Sequence, residues 1–565
     1  MDKPWLSHYE RRVPASLSYP QQTLSELLSD TARRFPGRAA TIFFGARLTY
    51  RQLDELVNRC AAGLQRMGVR KGDRVAVLLP NCPQFVLAYY GALRAGAIVV
   101  PCNPLYVARE LQHQLADSGA KVIFVLTKFY PTVQQARAGT ALEQIIVTGI
   151  KEYFPPVLRL LFTVVREAKE GHRADISGDA TARWWRYFLA TAPATPRPVE
   201  VGLEDTAVLL YTGGTTGVPK GAELSQRNIM VNAIQTSVWF GAKDGQETVV
   251  AALPLSHSYG MTTAMNFPIV SGGTLLLIAN PRDIKDVLAN IHRHRPTAYP
   301  GVPTMYVAIN NHPDVARYDL RSITACISGG APLPVEVQKR FQELTGARLV
   351  EGFGLSETSP VTHANPIYGE NRIGTIGLPW PDTEARIVDL DKGTREMSIG
   401  EIGELVIRGP QVMKAYWRKP QETRLVLRDG WLYTGDIARM DADGYFQIVD
   451  RKKDMIIAGG FNIYPREIEE VLYEHPKVQE AVVVGLPDPH RGETVKAYCV
   501  LKSGETVTEE EIIAFCRERM ARFKVPSAVE FRAELPKTMV GKVLRRILRE
   551  EELAKGARDP LTGLG

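Results

Sequence analysis

The segment Tyr211-Thr-Gly-Gly-Thr-Thr-Gly-Val-Pro-Lys220-Gly-Ala carries the strongest chemical signal in the chain. Its glycines let backbone N–H groups approach an anion, its threonines add hydroxyl donors, and Lys220 brings a full positive charge. That set suits phosphate. The apolar run Ala207 to Leu210 just before it reads as a buried strand that fixes one end of the loop. The pattern is not the Walker one, because Gly221 rather than Ser or Thr follows the lysine and Pro219 stands where that pattern has glycine. A flexible surface turn is the plain alternative, and three threonines and a lysine after a strand weigh against it.

Four further segments place reactive side chains in glycine-rich settings. They are Ser328-Gly-Gly-Ala-Pro332, Glu351-Gly-Phe-Gly-Leu-Ser-Glu-Thr358, Gly430-Trp-Leu-Tyr-Thr-Gly-Asp436 continuing into Asp450-Arg-Lys-Lys-Asp454, and Pro536-Lys-Thr-Met-Val-Gly-Lys542. Taken singly, each has a bland reading: Ser356-Glu357 as a helix cap with a solvated carboxylate, Thr434 to Asp436 as a β-turn, Gly329 to Pro332 as a strand-to-helix turn, and Lys542 as a solvated lysine. Together and in this order, the five segments resemble the adenylate-forming superfamily of acyl-CoA synthetases, firefly-type luciferases and peptide-synthetase adenylation domains. The resemblance spans nearly the whole chain.

The chemistry that the resemblance implies has its own logic. A carboxylate is a poor electrophile at neutral pH, so its oxygen must first become a good leaving group, which ATP provides as AMP. Attack on the α-phosphate brings one anion onto another and needs cations on the phosphorane and the departing pyrophosphate. The resemblance assigns that work to Lys220, Lys542 and Mg²⁺, with Glu357 anchoring the metal and the nucleotide supplying its other ligands. It places Thr212, Gly213, Gly214, Thr215, Thr216 and Gly217 on the phosphates. Gly329, Gly330, Ala331 and Pro332 become the wall beside adenine, with Gly352, Phe353, Gly354 and Ser356 completing that side. Phe353 departs from the commoner tyrosine, which keeps ring stacking and loses a hydroxyl, and Ser356 replaces the commoner Thr. Asp436 and Arg451 fall on the ribose, Lys453 at a hinge, and Gly459 and Gly460 beside the path of coenzyme A's pantetheine arm. Because Lys542 lies in the terminal segment, that segment must close over the rest of the chain for the first half-reaction.

Substrate class rests on Pro254-Leu-Ser-His257-Ser-Tyr-Gly260, which resembles the acyl-pocket segment of acyl-CoA synthetases. His257, Tyr259, Met261, Met265, Val302 and Pro303 are the pocket candidates, apolar or adaptable enough for an alkyl chain, with core packing as their even alternative, and His257 joins Lys542, Glu357 and Lys220 among the expected catalytic residues. No acidic residue occurs from Thr248 to Pro281 to meet a substrate amine, which argues against amino acids.

These residues must be held by a chain of 565 residues, about four units at ~150 per domain. With 45% apolar and 23% charged residues it is globular, and 69 basic against 62 acidic side chains is too mild an excess for a nucleic-acid binder. Cys60, Cys82, Cys102, Cys326, Cys499 and Cys516 are scattered without a metal-ligand spacing, as in a reduced cytoplasm. No export signal is visible, and the charge-free stretch from Thr248 to Pro281 is broken by Pro and Gly, so it reads as buried strands rather than a membrane span. Between Leu48 and Leu126, predicted helices (Tyr50 to Met67, Pro83 to Ala95, Ala108 to Asp117) alternate with strands (Val75 to Leu79, Ala97 to Pro101, Lys121 to Val125), and similar alternation runs from Ala207 to Leu349. Repeated βα units imply parallel sheets covered on both faces. From Gly374 short segments between Asp and Gly turns imply a smaller β-rich module. After Asp450 comes an α+β pattern: helix Pro465 to Glu474, strands Val478 to Gly485 and Val495 to Leu501, and helix Glu509 to Met520.

The expectation is therefore an α/β protein whose residues 1–450 hold two βα-type sheet subdomains and a β-rich subdomain, followed by a small mobile α+β domain over 451–565. One segment stands apart. Val157-Leu-Arg-Leu-Leu-Phe-Thr-Val-Val165 sets Arg159, Thr163, Arg166 and Glu170 on one helical face and a wide apolar face opposite. A membrane-surface helix, a dimer contact and a buried helix all fit it. Its place in the chain, where long-chain acyl-CoA synthetases carry similar apolar-basic sequence, makes that branch the expected one: fatty acid, ATP and coenzyme A as partners, no nucleic acid, a cytoplasmic location, and contact with the inner membrane face or a homodimer left open. An aryl or shorter acid, or a carrier-protein acceptor, is the alternative.

Overall fold

The computed structural model describes residues 3–212, 219–458, 461–488, 492–538 and 541–556. These fall into two compact units: one holds residues up to 212, 219–384 and 408–427, the other 385–407 and 428–556. The β-rich segments after 384 thus group with the C-terminal α+β segment.

The first unit is built on two sheets. One runs in the order Ala415–Tyr416, Lys220–Ser225, Thr206–Thr212, Ile98–Pro101, Arg74–Leu78, Val122–Leu126, Gln144–Thr148, Ala182–Trp184. The strands from Thr206–Thr212 onward are parallel, as the βα alternation requires. The helix Tyr50–Arg66 opens on a capping box in which Thr49 accepts from the Gln52 N–H and Gln52 returns the bond. It buries Leu53, Val57, Cys60, Ala61 and Leu64, one stripe of a 3.6-residue period. Helix Pro83–Arg94 carries no such stripe, because it is buried from Pro83 through Leu93.

Parallel alternation stops at Thr206–Thr212, since Lys220–Ser225 returns antiparallel to it. The connection over 213–219 is too short for a crossover, which needs a dozen or more residues. In the second sheet Thr248–Ala251, Thr274–Leu277 and Ala39–Phe43 are parallel, and Ala46–Thr49 closes the edge antiparallel. Parallel bridges Val249–Ala298, Ala298–Ala325 and Gly301–Ser328 connect this sheet to Ala325–Ser328, Arg348–Gly354, Val361–Ala364 and Leu378–Pro379. The charge-free stretch supplies two of these strands and, between them, the turns of helix Ser258–Gly260, Met261–Asn266 and Phe267–Val270. It is almost wholly buried. No helix among the described residues is long and apolar enough to cross a membrane, and all six cysteines are buried and free.

In the second unit, Trp431–Met440 pairs antiparallel with Gly403–Arg408 and with Phe446–Arg451. The C-terminal sheet runs Phe461–Ile463, Ile456–Ala458, Gly492–Leu501, Val478–Asp488, with Ala528–Phe531 added parallel to Gly492–Leu501. Helices Pro465–Tyr473 and Glu509–Arg517 bury Ile468, Leu472, Ile512 and Cys516 in one core against it.

The segment of uncertain role forms helix Pro156–Val165. Only Phe162 of its large side chains is buried, packed on Phe154 and His172. Val157, Leu160, Leu161, Val164 and Val165 are 73%, 66%, 55%, 76% and 63% exposed. The buried-helix alternative does not hold for most of that face: Phe162 anchors the helix, Leu158 is half-buried, and the other apolar side chains meet solvent.

Candidate active site

The phosphate-loop segment is pinned at both ends. Thr212 and Lys220 lie opposite each other in the antiparallel pair, which fixes the span of 213–219. Gly213, Gly214, Thr215, Thr216 and Gly217 lie outside the described residues, as do Gly459 and Gly460. Lys220 forms an ion pair with Glu422, in the first turn of helix Pro420–Val426, and stands 5.5 Å from the ring centre of Tyr416.

Glu357 sits in the turn Ser356–Thr358 that follows strand Arg348–Gly354. The Tyr416 hydroxyl donates to its Oε1 at 2.8 Å, and the Met413 N–H donates to its carbonyl at 2.7 Å. Burial and the Glu357 charge push the Tyr416 hydroxyl well above its ordinary pKa, so it stays protonated and keeps donating. No cluster of three or more His, Cys, Asp or Glu that could hold a metal occurs among the described residues. One carboxylate with an orienting hydroxyl suits a hard cation such as Mg²⁺ that takes its remaining ligands from phosphate and water.

The segment expected beside adenine is shaped by close approach. A side chain on Gly354 would overlap the Pro360 carbonyl, and one on Gly352 would come within 2.7 Å of Ile327. Gly330 has φ +81°, which favours glycine outright. Ala331 is half-buried, Pro332 exposed and Phe353 half-buried. The Ser356 and Ser258 hydroxyls are 3.4 Å apart, which joins this segment to the pocket candidates.

Those candidates divide. Tyr259 is buried, donates its hydroxyl to the Ile327 carbonyl at 2.7 Å, and lays its ring beside Gly329. His257 is half-buried, and its Nδ1 accepts from the Tyr259 N–H at 3.2 Å, which leaves the proton of the neutral ring on Nε2. Met261 and Met265 are fully buried in the π-helical stretch Met261–Asn266, a geometry frequent at functional sites. Val302 caps helix Pro303–Asn310, and both Val302 and Pro303 are buried.

In the second unit the fold brings together residues far apart in sequence. Asp436 and Arg451 are cross-strand partners, with Arg451 Nε 2.9 Å from Asp436 Oδ1. Asp436 Oδ2 is buried with no hydrogen-bond partner among the described residues, an acceptor suited to a hydroxyl donor such as a ribose. Lys542 precedes helix Arg545–Gly556 in a turn where the Thr538 N–H donates to its carbonyl at 2.8 Å, and so is not in the helix's first turn. The Lys542 pKa is lowered to about 7, chiefly by burial, with Arg451 and Lys453 adding to the fall and Asp436 and Asp454 opposing it. Burial and Arg451 likewise lower Lys453 to about 8.

Sequence reasoning missed what holds these groups. Tyr416 and Glu422 lie in Ala-Tyr-Trp-Arg-Lys-Pro-Gln-Glu422, with no glycine or periodic signal to mark them. The loop 450–454 is fixed by Arg545, which makes two 2.7 Å bonds to Glu469 and one of 3.2 Å to Asp454. Asp450 accepts from the Arg466 and Arg451 N–H groups, and its carboxyl is pushed up to about 6 by burial.

Known proteins resemble this chain over most of its length. Residues 28–417 match the family described as AMP-binding enzyme, and residues 467–542 match the AMP-binding enzyme C-terminal domain. The chain is similar to the long-chain-fatty-acid–CoA ligase of Bacillus subtilis strain 168, 48% identical over 97% of this chain and 98% of the relative. It is also similar to the enzyme of that name from Salmonella typhimurium, 42% identical over 98% and 99%. A crystal structure of an anthranilate CoA ligase in complex with anthranoyl-AMP superposes with a TM-score of 0.85 at 28% identity, covering 95% of this chain and 99% of that one.

Proposed function

The chain belongs to the AMP-binding enzymes, and from that premise we propose that it is a long-chain fatty acid–CoA ligase. A fatty carboxylate attacks the α-phosphate of ATP, pyrophosphate leaves, and the thiol of coenzyme A then displaces AMP from the acyl-adenylate. The observation that carries the reading is the match with ligases of that name along nearly the full length. Asp436 and Arg451 hold the ribose, Phe353 and Gly329 to Pro332 face adenine, Lys220 takes charge on the phosphates, and Glu357 holds Mg²⁺, which when bound neutralises charge on the pyrophosphate side. Lys542 meets the carboxylate and α-phosphate. Lys453 is the hinge about which the terminal segment turns between the half-reactions, and Gly459 and Gly460 then line the thiol's path. The test is pyrophosphate release from a panel of aliphatic acids, short to long, and aryl acids, with and without coenzyme A. The fold likeness to an anthranilate ligase favours an aryl acid as the second reading, and turnover of aryl acids alone would establish it.

The adenylation step carries a pH signature. It needs the Lys542 ammonium, so kcat/KM for ATP, which reports the free enzyme, falls as pH rises above about 7. Lys542→Arg stays charged and loses this alkaline limb, while Lys453→Met, which removes one like charge, moves the limb upward. A limb that survives in Lys542→Arg excludes the assignment.

The exposed face of helix Pro156–Val165 supports docking on an anionic lipid bilayer, where long-chain acids partition. No acidic residue lies between Phe154 and Arg166. Glu152 and Glu167 on either side are paired with Arg186 and Lys151, and Glu170 with Arg166, so Arg159 can face lipid phosphates. Replacing Leu160, Leu161 and Val164 by Ser should cut the affinity for anionic vesicles about a hundredfold, at roughly 1 kcal/mol per partly buried side chain. The unfolding midpoint should not move. Phe162 is left alone as core. A parent dimer that the substitutions dissociate, with vesicle binding unchanged, would assign the face to a second copy.

A further inference from the structure

The segment 413–422 touches both charged groups placed at the phosphates. Its strand Ala415–Tyr416 pairs with Lys220–Ser225 in the register Tyr416 to Ala222, and the Trp417 N–H donates to the Gly221 carbonyl at 2.8 Å. That register sets the Tyr416 ring beside Lys220 and its hydroxyl on Glu357. Helix Pro420–Val426 then brings Glu422 onto the Lys220 ammonium. Both side chains of this pair are 34% exposed, open enough for a stronger anion to compete.

We propose that Glu422 is the resting counter-ion of Lys220, exchanged for the β,γ-phosphates of ATP when the nucleotide binds and reclaiming the lysine as pyrophosphate leaves. Glu422 is a positioning residue: it acts on the phosphates through Lys220. The half-exposed pair bounds the effect, since such pairs are worth ~1 kcal/mol or less, about fivefold in affinity. The exchange favours turnover, as a lysine relieved of Glu422 would hold pyrophosphate longer.

This inference rests on the nucleotide reading above, and the experiment separates the two. Equilibrium binding of α,β-methylene-ATP and of AMP is measured for the parent, Glu422→Gln, Lys220→Ala and the double variant, with pyrophosphate inhibition of turnover measured for the parent and Glu422→Gln. Glu422→Gln should bind α,β-methylene-ATP several-fold tighter and be inhibited by correspondingly less pyrophosphate, with AMP affinity unchanged because AMP lacks the exchanged phosphates. On the Lys220→Ala background the same substitution should change nothing. Equal tightening on both backgrounds would mean that Glu422 repels phosphate directly, and unchanged or weaker binding in Glu422→Gln would show no exchange; either overturns the inference alone. A parent that binds neither nucleotide would overturn the nucleotide reading and the inference with it.

Discussion

Lys542→Ala should suppress acyl-adenylate formation by ~10²-fold or more while leaving thioester formation from synthetic acyl-adenylate and coenzyme A near the parent rate. The asymmetry follows from when charge develops. In the first half-reaction a carboxylate approaches an α-phosphate, and an ammonium at that point is worth most in the transition state. In the second, the mixed anhydride already has a good leaving group and the attacking thiol is the new requirement. Lys542 sits with Arg451 and Lys453 among its neighbours, so its charge is held at a cost that an arriving anion relieves. Single-turnover assays on each half-reaction, with the fold checked by thermal unfolding, decide the matter. Equal losses in both would remove the step-specific role and, with it, the turning of the terminal segment.

Asp436→Asn should raise KM for ATP about thirtyfold, ~2 kcal/mol for a charge-assisted contact, with kcat little changed. Asp436 Oδ1 is engaged by Arg451, and the buried Oδ2 has no hydrogen-bond partner among the described residues. A ribose hydroxyl supplies the missing donor, whereas the Asn amide would present its own N–H groups to a hydroxyl or to the guanidinium. Ribose contacts persist unchanged through the reaction, so their loss weakens ground state and transition state alike. ATP analogues lacking one ribose hydroxyl give the check. They should bind the parent more weakly than ATP does, and the Asn variant should discriminate far less. Equal discrimination by both proteins would place the ribose elsewhere.

The elements that position these groups were largely legible in the sequence. Continuous apolar runs such as Val75 to Leu79 and Ala207 to Leu210 marked strands of a covered sheet, and turn residues bounded the short strands after 384. The reversal at Lys220–Ser225 was hidden because the loop's glycines signal phosphate chemistry and hairpin alike. Helix Pro156–Val165 shows the limit of periodicity, which separates apolar from polar faces but says nothing of what covers the apolar one. Its Phe162 is core and its neighbours are not. At the site, motif spacing marked Asp436, Arg451 and Lys542. The supports went unseen because Tyr416, Glu422 and Arg545 act through pairings of distant segments, which a linear pattern does not carry.

The central claim, that a long-chain carboxylate is activated as an acyl-adenylate, is tested most directly by following its own oxygen. Hexadecanoate labelled in both carboxylate oxygens with heavy oxygen is turned over with ATP and coenzyme A, and the products are weighed by mass spectrometry. Attack on the α-phosphate makes one labelled oxygen the bridge, and displacement by the thiol breaks the acyl side of that bridge. AMP should therefore carry one heavy oxygen and pyrophosphate none. Label in inorganic phosphate with ADP as the nucleotide product, or unlabelled AMP, would contradict the account.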